Sequence, residues 1–133
     1  TNQQDKYTLY KLIKMKITQC LHTAILITDL AKSEQFYSGV LGLEKIERNL
    51  KYPGLWYQVG NYQIHLMVDP KFQPKLSNSE KWGRNPHIAF SVTDLNQAII
   101  RLQSANFPMQ MSESRPALFT RDPDGNIIEI NQI

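Results

Sequence analysis

Blocks of apolar and polar residues predict the same order of secondary structure elements twice along the chain. In the first half, an apolar run over residues 17–27 indicates a strand, and the following helix is capped by Asp29 and ended by Gly42. Three short strands are expected next, at residues 44–49, 55–59 and 62–68, with turns at Pro53-Gly54 and Gly60-Asn61. The first half is therefore predicted to be β-α-β-β-β.

The second half is predicted to repeat this plan after a long polar connection over residues 69–85. Residues 87–92 indicate a strand, and Asp94 with Gln97 three positions later is typical of a capping box at a helix start. Strands are expected near residues 109–111, 117–120 and 127–130, and the last two are separated by a turn over residues 122–126.

Two pairs of matching positions indicate that the halves are related by duplication. The stretch from His22 to Leu30 returns from His87 to Leu95 with the histidine, an alanine and the closing Thr-Asp-Leu unchanged. The segment Ile64-His65-Leu66 corresponds in nearly the same register to Ile128-Glu129-Ile130. Repeats of this kind predict two copies of one supersecondary unit.

Composition places the chain among ordinary soluble globular domains. It has 133 residues, of which 41% are hydrophobic and 20% charged, and it has no apolar run of the roughly 20 residues that a membrane-spanning helix needs. We expect neither a signal peptide nor membrane association. The single cysteine, Cys20, cannot form an internal disulfide, which favours a cytoplasmic location. Cys20 itself is interpreted as a small buried residue.

The net charge of +3 does not favour nucleic-acid binding. Residues 1–14 contain Lys6, Lys11 and Lys14 against Asp5, so +2 of the net charge lies in this segment. Residues 15–133 therefore have a net charge of only +1, which does not indicate a basic face for nucleic acid. Residues 1–14 have no counterpart in the second half. They are interpreted as an extension, a cloning remnant or a short helix, and residues 15–133 as the single domain, with modules at about 17–69 and 85–132.

The four matched positions carry the candidate chemistry. If the modules are related by a pseudo-twofold axis, His22, His65, His87 and Glu129 are expected to converge, and three imidazoles with a carboxylate suit Zn²⁺, Ni²⁺, Co²⁺, Mn²⁺ or Fe²⁺. A single histidine in an apolar strand is more often a core residue, and Glu129 could lie on a solvated face. The placement of all three histidines at matched positions favours a metal site.

Four further residues are weaker candidates for substrate contacts. Arg115 and Arg121 are an even number of residues apart, on one face of a predicted strand, and could bind a carboxylate, although a solvated face is the alternative. Trp56 and Phe119 could line a pocket, although aromatic side chains more often lie in the core or at its rim.

Together with these candidate residues, the motifs of the chain resemble those of the vicinal oxygen chelate superfamily. This superfamily includes glyoxalase I, fosfomycin-resistance proteins, methylmalonyl-CoA epimerase and extradiol dioxygenases. The resemblance covers about residues 17–132. It is carried by His22 with Thr28-Asp29-Leu30, residues 36–43 (FYSGVLGL), residues 60–67, His87 with Thr93-Asp94-Leu95, and residues 119–129 (FTRDPDGNIIE). Residues 64–67 and 115–121 are most similar to small glyoxalase-I-like proteins of plants and cyanobacteria.

The resemblance implies an α+β fold in which two βαβββ modules form an open barrel around one divalent metal per site. It implies that His22, His87 and Glu129 are ligands shared by most members. His65 matches a further ligand position at which glyoxalase I usually has glutamate and the epimerase glutamine. A second carboxylate base is therefore missing. In the family, the two modules of a site lie in one chain or in two, and a homodimer is expected here.

The resemblance also implies the reaction classes. A divalent metal stabilises charge on a carbonyl or enediolate oxygen, and Glu129 is the expected proton shuttle, which favours a glyoxalase-type lyase or isomerase. The expected partner is a small molecule, with a glutathione-linked hemithioacetal as one candidate. Extradiol ring cleavage, thiol transfer and non-catalytic binding of an antibiotic-like molecule, as in bleomycin-resistance proteins, are the alternatives.

Overall fold

The computed structural model describes residues 2–133, so Thr1, the first residue of the predicted extension, lies outside the described residues. The first module is a sheet of strands β1 (His22–Ile27), β2 (Glu44–Ile46), β3 (Gly54–Val59) and β4 (Tyr62–Val68), ordered β1-β4-β3-β2. The second is a sheet of β5 (His87–Val92), β6 (Met109–Met111), β7 (Ala117–Arg121) and β8 (Ile127–Gln132), ordered β5-β8-β7-β6. The predicted pair of βαβββ modules is confirmed, and each module forms its own four-stranded sheet.

Within residues 2–133, three α-helices and a short 3-10 helix (Trp82–Arg84) accompany the sheets. Helix α1 (Gln3–Leu12) has no buried residue, α2 (Leu30–Glu34) continues into a π-helical turn (Gln35–Val40), and α3 (Leu95–Ser104) follows β5. Asp29 caps α2 as predicted, by accepting from Lys32 N. Asp94 caps α3 by accepting from Asn96 N rather than in the predicted box with Gln97. No helix within residues 2–133 is long and apolar enough to span a membrane.

Strands β1 and β2 are shorter than the sequence pattern indicated, and β2 ends at Ile46 rather than at residue 49. Strand β1 begins at His22 because its parallel partner, β4, begins only at Tyr62, directly after the hairpin at Gly60 and Asn61. The apolar residues before His22 therefore have no strand to pair with. Cys20 lies in this unpaired segment and is exposed, so its predicted burial was wrong.

The register of the two parallel strand pairs is the same in both modules. In β1 and β4, His22 faces Gln63 and Ala24 faces His65, whereas in β5 and β8, His87 faces Ile127 and Ala89 faces Glu129. Each module thus places one candidate ligand at the start of its first strand. The second candidate ligand, His65 or Glu129, lies on the neighbouring strand. It is two residues beyond the residue that pairs with the first ligand.

The core lies on the helix side of the sheets. Its largest fully buried side chains include Tyr37, Tyr57, Ile64, Leu66 and Ile128. Successive strand residues point to opposite faces, so burial of Ile64 and Leu66 directs His65 to the face away from the core. The turn before β8 joins the modules, because Asp122 accepts from the Tyr37 hydroxyl at 2.8 Å and Asn126 donates to Leu26 O at 2.9 Å.

Candidate metal centre

The first module brings His22 and His65 into direct contact. Their rings stack with centroids 4.1 Å apart and planes inclined by 10°. His65 Nε2 lies 2.8 Å from Gln63 Oε1, and the Gln63 amide nitrogen donates to Gln58 Oε1 at 3.1 Å. Burial lowers the pKa of His65, and the nearby charges of His22 and Arg48 lower it further. The neutral imidazole, which is the form that binds metals, is therefore favoured at His65.

The indole of Trp56 covers the opposite side of the His65 ring. Trp56 faces His65 across the β3–β4 pair, and the two rings stack with centroids 4.1 Å apart and planes inclined by 7°. His22 approaches from β1, on the other side of β4. The candidate substrate residue Trp56 therefore contacts a candidate ligand, and His65 is held between two parallel rings.

The second module brings His87 and Glu129 together. His87 Nδ1 lies 2.6 Å from the backbone oxygen of Asn85, and since a carbonyl only accepts, Nδ1 must carry a proton. In the neutral imidazole, Nε2 is then the lone-pair atom, and it lies 3.2 Å from Glu129 Oε1. A lone pair and a carboxylate oxygen at this distance require a shared cation, either a proton or a metal ion. The chemistry of this donor pair therefore fits a divalent metal.

The other carboxylate oxygen of Glu129 is anchored on its own side. Glu129 is only 8% exposed, and its Oε2 accepts a hydrogen bond from the side-chain amide of Asn131. Arg115 Nη1 lies 3.7 Å from the same oxygen and 3.2 Å from Asn131 Oδ1. Because a buried carboxyl group is unfavourable without polar partners, these contacts offset the burial of Glu129 and direct Oε1 toward His87.

Supporting residues were missed by the sequence analysis, although a simple signal marks them. Gln63 precedes His65 by two positions, Asn85 precedes His87 by two, and Asn131 follows Glu129 by two. Side chains two apart in a strand lie on the same face, which places Gln63 beside His65 and Asn131 beside Glu129. Asn85 differs, because it precedes β5 and contacts His87 through its backbone oxygen.

The remaining predicted residues lie around the second pair. Phe119 is buried, faces Glu129 across the β7–β8 pair, and meets the His87 ring edge to face at a centroid distance of 5.6 Å. Arg115 contacts Glu129, whereas Arg121 lies 5.7 Å above the ring of Trp82. The two arginines, which were predicted to share one function, thus have different contacts.

The structure does not bring all four candidate ligands together. Within residues 2–133, no three His, Cys, Asp or Glu side chains are placed to hold a single metal ion. Two donor pairs are present instead, His22 with His65 on one sheet and His87 with Glu129 on the other. Structural zinc sites need four protein ligands and catalytic ones generally three, so neither pair completes a site by itself.

Two βαβββ modules with matched donor pairs define the class of protein. The chain belongs to the Glyoxalase/Bleomycin resistance protein/Dioxygenase superfamily, whose family model matches residues 19–130. The resemblance inferred from the sequence is therefore confirmed over nearly the whole of both modules. Members of this family typically use a divalent metal, to which the donor set of this chain is suited.

Relatives and solved structures agree with this membership. The chain is 32% identical over 124 residues to the uncharacterized protein YaeR of Escherichia coli (strain K12), covering 86% of this chain and 95% of that protein. It is 27% identical over 123 residues to a protein of Vibrio cholerae serotype O1 named a probable lactoylglutathione lyase, covering 84% and 88%. A crystal structure of a glyoxalase family protein from Bacillus anthracis shares the fold with a TM-score of 0.73 at 24% identity, covering 89% and 97%.

Proposed function

We propose that this protein is a divalent-metal-dependent lyase or isomerase of the glyoxalase I type. Its substrate would be a small molecule that binds the metal through adjacent oxygens, with a thiol hemithioacetal as the first candidate. The observation that carries the proposal is the pair His87 and Glu129, in which the imidazole Nε2 lies 3.2 Å from the carboxylate Oε1. The matched pair His22 and His65 supplies the remaining donors.

The complete site would be shared between two chains. Each chain carries two half-sites, and the pairs are separate within residues 2–133. The first strands of the modules, β1 and β5, are both edge strands, and His22 and His87 at their starts are exposed. A twofold dimer would bring His22 and His65 of one chain to His87 and Glu129 of the other and so create two equivalent sites.

Glu129 is the residue to which we assign proton transfer. When bound, the metal would stabilise negative charge on the substrate oxygen as the neighbouring carbon loses its proton. Glu129 Oε1 would accept that proton and return it to the adjacent carbon, while Asn131 and Arg115 hold Oε2 in place. Since His65 occupies the position at which glyoxalase I usually has glutamate, Glu129 is the single carboxylate of the proposed ligand set and would perform both transfers.

Metal content and turnover test the metal-dependent reaction. We expect the wild-type protein to bind one divalent ion per site and His22→Ala to lose most of it. Hemithioacetal turnover is then measured after adding Zn²⁺, Ni²⁺, Co²⁺, Mn²⁺ or Fe²⁺. Arg84→Ala, an exposed residue outside both pairs, is the control and should keep its metal. A His87→Ala protein with full metal loading would contradict the ligand assignment.

Mixed dimers test whether the site is shared. His22→Ala and His87→Ala chains are each inactive if both residues are ligands. After subunit exchange, every mixed dimer would contain one site with both histidines intact, because the two substitutions then fall on the same other site. Random exchange should restore about a quarter of wild-type activity. No recovery in a verified mixed dimer would place both pairs of a site in one chain.

Binding without catalysis is the second candidate, and one feature favours it. A crevice of about 500 Å³ between the modules is lined largely by apolar side chains, among them Leu43, Tyr62, Ile88 and Phe90. Sequestration of an apolar small molecule in this crevice would need no metal. Ligand binding that is unchanged by chelation, in a protein without turnover, would favour this alternative.

A further inference from the structure

A continuous column of flat side chains runs from the loop after β2 to the first donor pair. The Arg48 guanidinium lies 4.9 Å from the ring centre of Tyr52 and 5.9 Å from that of Trp56. Trp56 stacks on His65 at 4.1 Å, and His65 stacks on His22 at the same distance. The order of the column is therefore Tyr52, Arg48, Trp56, His65, His22.

Arg48 is held by one hydrogen bond and by its position over two aromatic rings. Nη1 donates to Tyr52 O at 2.7 Å, but Nε and Nη2 are buried and have no hydrogen-bond partner within residues 2–133. Gly54 provides the space, since a Cβ at this position would lie 3.3 Å from Arg48 Nη2 and would overlap the backbone oxygen of Leu66. The incomplete pairing of the guanidinium indicates that its cation–π contacts with Tyr52 and Trp56 contribute to where it lies.

Trp56 belongs to the candidate site rather than to the core. Its neighbour Tyr57 is fully buried on the core side of β3, so Trp56 projects from the opposite face, where His65 lies. The second module repeats this arrangement, because Phe119 faces Glu129 across β7 and β8 as Trp56 faces His65 across β3 and β4. Both modules therefore place an aromatic side chain beside the second ligand of the pair.

We propose that Trp56, supported by Arg48, is a positioning residue that orients the His65 imidazole for metal binding. Rotation of a histidine ring about χ2 is only weakly restricted by rotamer preference, and His65 has a single side-chain hydrogen bond, to Gln63. Parallel contact with the indole selects one plane for the His65 ring, whereas His22, stacked on the other face, would have to turn out of the stack for both imidazoles to bind one ion. The inference rests on the proposed function in that it assumes that His65 is a ligand.

Affinity for Co²⁺ tests the inference directly. Competition titration against a chelator is performed on wild type, Trp56→Phe, Trp56→Leu, Arg48→Met and Arg48→Lys. Loss of residues that orient a metal ligand typically reduces affinity by about 10–100-fold, which we expect for Trp56→Leu. Trp56→Phe keeps a flat ring and should retain most of the affinity. Arg48→Lys keeps the charge but not the plane and should behave like Arg48→Met.

A measurement without metal separates this inference from the proposed function. In the metal-free protein, the His65 ring protons should show a ring-current shift in the NMR spectrum from the stacked indole, and Trp56→Leu should abolish it. Tyr10→Leu, at a position 70% exposed on α1, controls for the removal of an aromatic side chain elsewhere. Circular dichroism identifies any unfolded variant. If Trp56→Leu is unfolded, the comparison with wild type is made with Trp56→Phe and Arg48→Met instead.

The outcomes are distinct. A folded Trp56→Leu protein with wild-type Co²⁺ affinity would overturn the positioning role and leave the metal site intact. A wild-type protein that does not bind Co²⁺, Zn²⁺ or Ni²⁺ would instead contradict the proposed function. In that case, an unchanged chemical shift of the His65 ring protons in Trp56→Leu would also contradict the stacking of Trp56 on His65.

Discussion

The backbone oxygen of Asn85 accepts a hydrogen bond from His87 Nδ1 at 2.6 Å and thereby determines which nitrogen of His87 faces Glu129. Nδ1 carries a proton, and the other ring nitrogen, Nε2, lies 3.2 Å from Glu129 Oε1, where a second proton or a metal ion would bridge the two atoms. Metal-binding histidines usually donate their other ring N–H to a carbonyl or carboxylate in this way. Asn85, just before β5, thus holds the imidazole through its backbone oxygen, and Asn131, within β8, holds the carboxylate.

Removal of the Asn131 amide should weaken the second donor pair. Asn131→Ala leaves Glu129 Oε2 with only the longer contact to Arg115, so the carboxylate is free to rotate away from His87. We expect metal affinity about 10–100-fold below wild type. Chelator competition measures the change, and Asn96→Ala, at an exposed position in α3, is the control. Wild-type affinity in Asn131→Ala would show that Glu129 needs no anchor.

A second carboxylate at position 65 should change the reaction. His65→Glu supplies the missing base at a position that already faces Ala24 on the ligand side of β4. A positioned acid–base group contributes roughly 10²–10⁴-fold to a proton-transfer step, so turnover of a methylglyoxal–glutathione hemithioacetal should rise. His65→Gln provides the matched control without a carboxylate. Equal turnover in both variants would indicate a different natural substrate.

Stability of the metal-free protein should depend on pH through His65. Burial, followed by the charges of His22 and Arg48, places the folded-state pKa of His65 below its usual value of 6.5. Between the two pKa values the unfolded state binds more protons, so the free energy of unfolding rises with pH in that window. The contribution of His65 is complete above 6.5 and is lost as pH falls through the folded-state pKa.

Urea unfolding between pH 5 and 8 measures this dependence in wild type and in His65→Gln, which cannot titrate at this position. We expect a smaller pH dependence in the variant over the same window. Parallel curves for the two proteins would show that the His65 pKa is the same in the folded and unfolded states.

Gly54 should be intolerant of a side chain. In Gly54→Ala the new Cβ would overlap the Leu66 backbone oxygen and press on Arg48 Nη2 at 3.3 Å. Overpacking of this kind costs about 1–3 kcal/mol in the free energy of unfolding. Gly39→Ala is the matched control, since a Cβ there meets no atom within 4 Å. Thermal and urea unfolding compare the two, and equal stability would mean that β3 and β4 separate readily at this point.

Local patterns predicted most of the fold. Strands β3, β4, β5 and β6 lie within one residue of their predicted bounds, because turn residues such as Gly60 and Asn61 mark their ends in the sequence. Strand β1 was predicted five residues too long, since the availability of a partner strand is not encoded in its own apolar run. The capping box of Asp94 with Gln97 was predicted from spacing alone. In the structure, the Asp94 side chain instead accepts a hydrogen bond from the backbone N–H of Asn96, one residue before Gln97.

The candidate ligands could be found from the sequence, but their grouping could not. The repeat placed His22, His65, His87 and Glu129 at matched positions, and the strand register confirms the match. Their separation into two pairs depends on how the sheets pack, which the Tyr37–Asp122 and Asn126–Leu26 contacts between modules determine. These contacts join residues that are 85 and 100 positions apart.

By itself, the sequence determined the duplicated βαβββ order, the family and the identity of the candidate ligands, since these follow from alternation, turn chemistry and motif residues that are local in the chain. Only the tertiary structure decided that His65 lies between Trp56 and His22, that Asn85 orients His87, and that the four candidate ligands form two pairs. The physical reason is that stacking and hydrogen bonding between strands depend on register and sheet packing, which many distant residues set together.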